Sequence, residues 1–172
     1  MATVPSRFQA YVGANHARYS CGRMLYSNGA AAGVHTVAFQ IPAYSILFDV
    51  GIISVTLWAG GTAASLIAGD DNDDNGFIVA TDLMATDLLA GQSIWIGSGT
   101  GLAGGQIGAY IANSQWTPGS GLAPQYSASS RTVTFTNTTT GTAKTAGETL
   151  CIVKYLTFSG CEPIVTGSYV AS

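Results

Sequence analysis

The segment Ile46–Trp58, ILFDVGIISVTLW, decides the fold class. It is dominated by β-branched and aromatic residues, which fit a pleated, half-buried surface, and it is long enough to cross a whole sheet. Gly51 inside it predicts a bulge or bend. Pro42-Ala43-Tyr44-Ser45 turns the chain into this strand, and Gly60-Gly61 breaks the run.

Working outward, further strands follow. Upstream, Val34, Thr36, Ala38 and Gln40 lie on one face of a strand, with His35, Val37, Phe39 and Ile41 on the other. Downstream, Ala64–Ala68 and Phe77–Ala80 read as short strands, and 106–112 as a weak one. Arg131–Thr138 alternates Val133 and Phe135 with threonines, as a half-exposed strand does. Thr149–Phe158, TLCIVKYLTF, is the strongest strand in the chain. Thr81–Leu89 is expected to form one or two helical turns, with Thr81 or Asp82 as N-cap and Ala90-Gly91 as the stop. Residues 97–105 and 113–130 read as loops. About eight or nine short strands with Gly-rich turns and no long helix predict an all-β chain, a sandwich or barrel. The long loops suit a jelly-roll-like β-sandwich.

The expected organisation is an extended N-terminal arm (1–33), a β-sandwich domain (34–158) and a C-terminal tail (159–172). The arm mixes Pro5, aromatic residues and small residues, with a turn at Ser27-Asn28-Gly29. At 172 residues the chain can bury a core without disulfides. Cys21, Cys151 and Cys161 have no framework or zinc spacing and read as reduced thiols, implying synthesis in a cytoplasm.

Charge is scarce. Charged residues make up 9% of the chain, against about 25% in an average soluble domain, while hydrophobic residues make up 47%. A lone monomer generally keeps a well-charged surface. The longest apolar stretch, Ile41–Trp58, contains Pro42, Ser45, Asp49 and Gly51, so no membrane span is expected. No basic region precedes an apolar stretch at the N-terminus, so no signal peptide is expected. The six cations are scattered, which argues against direct nucleic-acid binding. The remaining explanation is a surface that becomes interface in a permanent assembly.

One motif carries chemistry. Asp70, Asp71, Asp73 and Asp74 supply four of the nine acidic side chains within one short loop. Counted from Asp71, the spacing fits the first half of a calcium loop, with Asp71, Asp73 and Asn75 as oxygen ligands, Gly76 for the turn, the Phe77 carbonyl, and Asp82 at the twelfth position. Asp82 is shorter than the usual Glu, and the flanks read as strands. A solvated turn, rich in Asp and Asn because these residues favour turns, is the preferred alternative. Catalytic patterns are poor. His16 and His35 sit in no metal or nucleophile motif, and Gly97-Ser98-Gly99-Thr100-Gly101 lacks the ending of a phosphate loop. No enzyme activity is expected. Trp58 and Trp95 read as core; Trp116 reads as an interface anchor or, with Tyr126, a sugar-stacking residue.

Two stretches carry a resemblance. The first is Ile41-Pro42-Ala43 before a long strand, then Leu66-Ile67-Ala68-Gly69-Asp70 running into Asp73-Asp74-Asn75-Gly76-Phe77-Ile78. The second is Thr145-Ala146-Gly147-Glu148-Thr149 before Val153-Lys154-Tyr155. Over 37–158 this pattern resembles the capsid-decoration or cement proteins of tailed bacteriophages. The resemblance implies a β-sandwich forming a homotrimer on the capsid exterior, bridging major capsid proteins at their junctions. Phe8, Tyr11, Tyr19, Tyr26 and Trp116 are then the expected contacts. Similar β-proteins occur in phage tails, so a tail or fibre component with a carbohydrate-binding role is the alternative.

Overall fold

The computed structural model describes residues 17–28, 32–84, 87–97, 106, 108–112 and 125–158. Nine strands are described in chain order: β1 (Arg18–Leu25), β2 (Val34–Ile41), β3 (Ser45–Ala59), β4 (Ala63–Asp70), β5 (Ile78–Asp82), β6 (Ser93–Trp95), β7 (Gln125–Ser127), β8 (Arg131–Thr140) and β9 (Ala146–Thr157). A four-residue helix, α1 (Ala109–Ala112), precedes β7. The expected all-β sandwich is what the chain forms. One antiparallel sheet has the order β1-β9-β3-β6, and β7 pairs with β3 beside β6; the other has the order β2-β8-β4-β5. Each sheet draws strands from both halves of the sequence, so neither can form before distant segments meet.

The core lies between the sheets. Leu47, Val50, Ile52 and Trp58 of β3, Leu66 and Ala68 of β4, Val133 and Phe135 of β8, and Cys151 and Val153 of β9 all point into it. Fully burying a side chain of this kind contributes roughly 1.5–3 kcal/mol. The parity of β3 changes along its length. A register shift between Leu47 and Asp49 inserts one residue opposite β9, so Leu47 and Val50 both face inward. The bulge expected at Gly51 therefore sits earlier. Gly51 serves another purpose: a Cβ there would collide with the Trp95 ring.

Several expectations are corrected. Arg18–Leu25 belongs to the sandwich rather than to an arm. It pairs along its whole length with β9, from Arg18↔Tyr155 to Leu25↔Glu148, and Met24 is 1% exposed. Its local pattern is weak because the partner strand supplies the pairing and only one side of an edge strand is held. The helical turns expected over Thr81–Leu89 are absent among the described residues. β5 continues to Asp82, whose Oδ1 accepts the Met84 N–H at 2.8 Å, while its own N–H donates to Asp87 Oδ2 at 2.7 Å. The capping chemistry is present, but it closes a turn instead of starting a helix. The weak strand expected over 106–112 is the site of α1. Here the N–H of Gly108 donates to Phe77 O and that of Tyr110 to Gly76 O, and among the described residues only Gln106 O accepts from β5, from the Val79 N–H. The 113–130 loop contains β7. Phe8, Tyr11, Trp116, Cys161 and the 159–172 tail lie outside the described residues.

Candidate functional site

In the sheet containing β9, alternation sends one set of residues to the core and the other outward. On β9 the outward set is Glu148, Leu150, Ile152, Lys154 and Leu156, since Thr149, Cys151, Val153 and Tyr155 are buried. The register builds rows across this outer face. Cys21, Ile152, Gly51 and Trp95 form one; Arg23, Leu150, Ile53 and Ser93 form the next; Leu156, Ile46 and Tyr126 form a third. The centre of the face is thus Ile46, Ile53, Trp95, Leu150, Ile152 and Leu156, all half-buried on their own sheet. The Trp95 indole lies over Gly51, which keeps the middle flat.

Charge on this surface is limited to two places, the Arg23–Glu148 end and a Lys154–Asp49 row that crosses β9 and β3 between Ile152 and Leu156. In the first, Arg23 Nη2 pairs with Glu148 Oε1 at 2.6 Å. In the second, Lys154 Nζ lies 5.6 Å from the centroid of the Tyr19 ring. Asp49, across from Lys154 in the register, accepts the Gly97 N–H on Oδ1 at 2.6 Å. Burial raises the Asp49 pKa above its usual 3.8; the Gly97 and Val50 amides and the Lys154 charge oppose that shift. The native state therefore binds this proton more tightly than the unfolded chain. The carboxylate costs stability at neutral pH, and the cost disappears as pH falls through the raised pKa. Asp49→Asn keeps an acceptor for Gly97 and removes the charge. Its Tm at pH 7 is expected to equal or exceed that of the unchanged protein, with the difference vanishing as Asp49 protonates; thermal melts across pH check this.

The opposite outer face, on the β2-β8-β4-β5 sheet, is also poor in charge. Thr132, Thr134, Thr136, Thr138 and Thr140 project along β8, flanked by Thr36 and Ala38 of β2 and by Ile67 of β4. Hydroxyls rather than apolar groups dominate it.

The acidic loop joins β4 to β5. Asp70 Oδ1 accepts the Tyr110 hydroxyl at 2.6 Å and the Asn72 N–H at 3.0 Å, and Arg131 Nη1 lies 3.9 Å from Oδ2. Asp71 Oδ2 accepts the Thr132 N–H at 3.1 Å, and Asp73 Oδ1 accepts that of Asn75 at 3.2 Å. The Phe77 carbonyl accepts from Gly108, and Asp82 turns toward Met84. Among the described residues, no three His, Cys, Asp or Glu side chains group to hold a metal. Asp71, Asp73 and Asp82 thus each accept a backbone N–H, and Asn75 donates its own to Asp73. Tyr110 also packs edge-on against Phe77 at 5.0 Å between centroids, and a Cβ on Gly76 would collide with its ring. Burial first, then the Asp70 hydrogen bond and charge, push the Tyr110 pKa well above its ordinary 10.0. Because the native state holds this proton more tightly, the contribution is complete below pH 10 and is lost as pH rises beyond it. Tyr110→Phe is expected to cost about 1–3 kcal/mol and to flatten the alkaline decline in stability, as denaturant titrations at pH 8 and above 10 would show.

Of the expected contact residues, Tyr19 is 63% exposed on β1 and Tyr26 is 39% exposed in the turn after it. Trp58 is core as expected; Trp95 instead lies on the outer face. Period-two alternation marks one buried side per strand and so does not by itself reveal the apolar outer face. The signal of that face lay in Leu150–Leu156, where both parities are largely apolar, the pattern of a strand covered on both faces.

No protein-family model matches the chain, and no curated protein matches it. Among solved structures, a chain of the acidic stable capsid structure of Helicobacter pylori bacteriophage KHP30 is similar with a TM-score of 0.50 at 10% identity, covering 81% of this chain and 86% of that one. A chain of the capsid of Ralstonia phage GP4 is similar with a TM-score of 0.45 at 17% identity, covering 91% and 90% respectively. At such identities a likeness concerns the fold alone, and this chain shares its two-sheet β fold with a chain of the KHP30 capsid.

Proposed function

We propose that this chain is a structural protein of a tailed-phage virion, a head decoration or cement protein that assembles as a homotrimer and bridges major capsid proteins. The outer face centred on Ile152 carries this reading. A largely apolar sheet face, whose one internal charged row sets Lys154 opposite Asp49, is built to be covered by protein. A chain with 9% charged residues also has little else to keep it apart from neighbours. The fold shared with a capsid chain supports the reading. So does the strand order, with β1-β9-β3-β6 facing β2-β8-β4-β5, which we read as the two Greek keys of a jelly roll. The mechanism is cross-linking through buried area, on the order of 1,600 Å² for a standard interface, repeated over the shell so that weak contacts add. It requires no reaction and no cofactor.

The test is to produce virions without the protein. Heads that release DNA on warming or in low salt, and are restored when the purified protein is added back, support the assignment. Intact heads that lack tails or fail to adsorb overturn it and favour the tail or fibre alternative. The acidic loop is read as a cation-free turn, since its carboxylates already accept backbone and side-chain donors. Millimolar calcium or a chelator is expected to leave the Tm unchanged; a rise of several degrees with calcium alone would restore the metal reading.

A further inference from the structure

Beneath Trp58 the core is polar. His35 on β2 and Asn137 on β8 are direct cross-strand partners. Ser54 on β3 and Thr149 on β9 are partners in the opposing sheet. All four are buried, His35 being 7% exposed and the other three 0%. Trp58 connects the two pairs: its Nε1 donates to Thr149 Oγ1 at 3.0 Å, and its ring lies 5.5 Å from that of His35 at a tilt of 57°. The indole therefore touches one member of each pair, Thr149 and His35, with Ser54 and Asn137 directly across from them in the register.

Thr149 is satisfied by the indole. Among the described residues the others are not: His35 Nε2, Asn137 Oδ1 and Nδ2, and Ser54 Oγ have no hydrogen-bond partner. Native interiors leave few buried polar atoms unpaired, and four in one layer would take a large share of a marginal stability. The chemistry of the set narrows what could complete it. Asn137 offers a carbonyl acceptor and an amide donor, Ser54 a hydroxyl that does both, and His35 Nε2 one or the other according to its tautomer. A partner for all three must donate and accept in several directions. A cation accepts nothing from the amide, and no three metal-ligating side chains group among the described residues. Water meets the requirement, with two to four polar partners available to it.

We propose that an ordered water is built into the interior, bridging Asn137 to Ser54 or to His35 Nε2, with Trp58 closing the site from solvent. The hydrogen bonds between the two sheets at this level then run through the water rather than directly between side chains. This site is independent of the outer face and of the proposed function.

A crystal structure of the full chain at a resolution that shows ordered solvent tests the proposal. The expected result is a water within roughly 2.7–3.2 Å of the Asn137 side chain and of at least one of His35 Nε2 and Ser54 Oγ. A dry layer, or an Asn137 amide paired directly with the chain's own groups, overturns it. Asn137→Leu supplies an energetic test. Removing a dry, unpaired amide would leave the Tm equal or raise it, and that outcome also overturns the proposal. Removing an amide held by water lowers the Tm by several degrees. Should the variant fail to fold, the unchanged protein still decides by its solvent density.

Discussion

Trp58→Ala is expected to cost about 3–5 kcal/mol, the largest loss from any single truncation. The side chain is 1% exposed and stands where three strands meet. Its backbone N–H donates to Leu83 O at 3.1 Å, and its indole reaches Thr149 on β9 and His35 on β2. Truncation would open a cavity beneath all of these and leave the Thr149 hydroxyl without its donor. Gly147, which lies against the ring, has no side chain to fill the space: a Cβ there would come within 2.5 Å of Trp58 Cδ2, and the residue has φ +148°. Urea titration measures the loss as a drop in midpoint. Trp58→Phe keeps a ring but not the N–H, and is expected to cost less than the alanine variant. Gly147→Val, which adds bulk at the same contact and strains a positive φ, is expected to destabilise as well.

Ile152→Glu is expected to leave the fold nearly intact and to abolish association with phage particles. Ile152 sits mid-face, between Cys21 and Gly51 in neighbouring strands, and is half-buried on the isolated chain. Exchange at such a position changes folding stability modestly. If a partner covers the face, the new carboxylate is desolvated without a counter-ion, at a cost of several kcal/mol. At about 1.4 kcal/mol per tenfold, each contact weakens by roughly a hundredfold or more, and repetition over a shell multiplies the effect. Co-sedimentation with particles, beside a thermal melt of the free protein, separates the two effects. Wild-type binding by a folded Ile152→Glu variant would remove this face from the docking surface. A melted variant would show instead that the residue is part of the fold, and Leu150→Asp or Trp95→Ala would then be used to ask the same question.

Read alone, the sequence determined the fold class and much of its geometry. Period-two alternation is local and survives any tertiary context, so the faces of 34–41 and the threonine face of 131–138 were legible. The length and β-branched content of Ile46–Trp58 marked a sheet-crossing strand, and scarcity of charge raised the expectation of a surface that becomes interface. Tertiary structure decided the rest. Arg18–Leu25 became a strand because β9 offers it an edge, and no local pattern encodes the presence of a partner over a hundred residues away. Asp82 capped a turn instead of a helix because β4 was already holding β5. The apolar outer face, and the polar layer under Trp58, exist only once register brings β1, β3, β6 and β9 side by side and sets His35 against Asn137. A residue's neighbours along the chain fix its parity, but only cross-strand pairing fixes what stands beside it, and a surface or a site is made of what stands side by side.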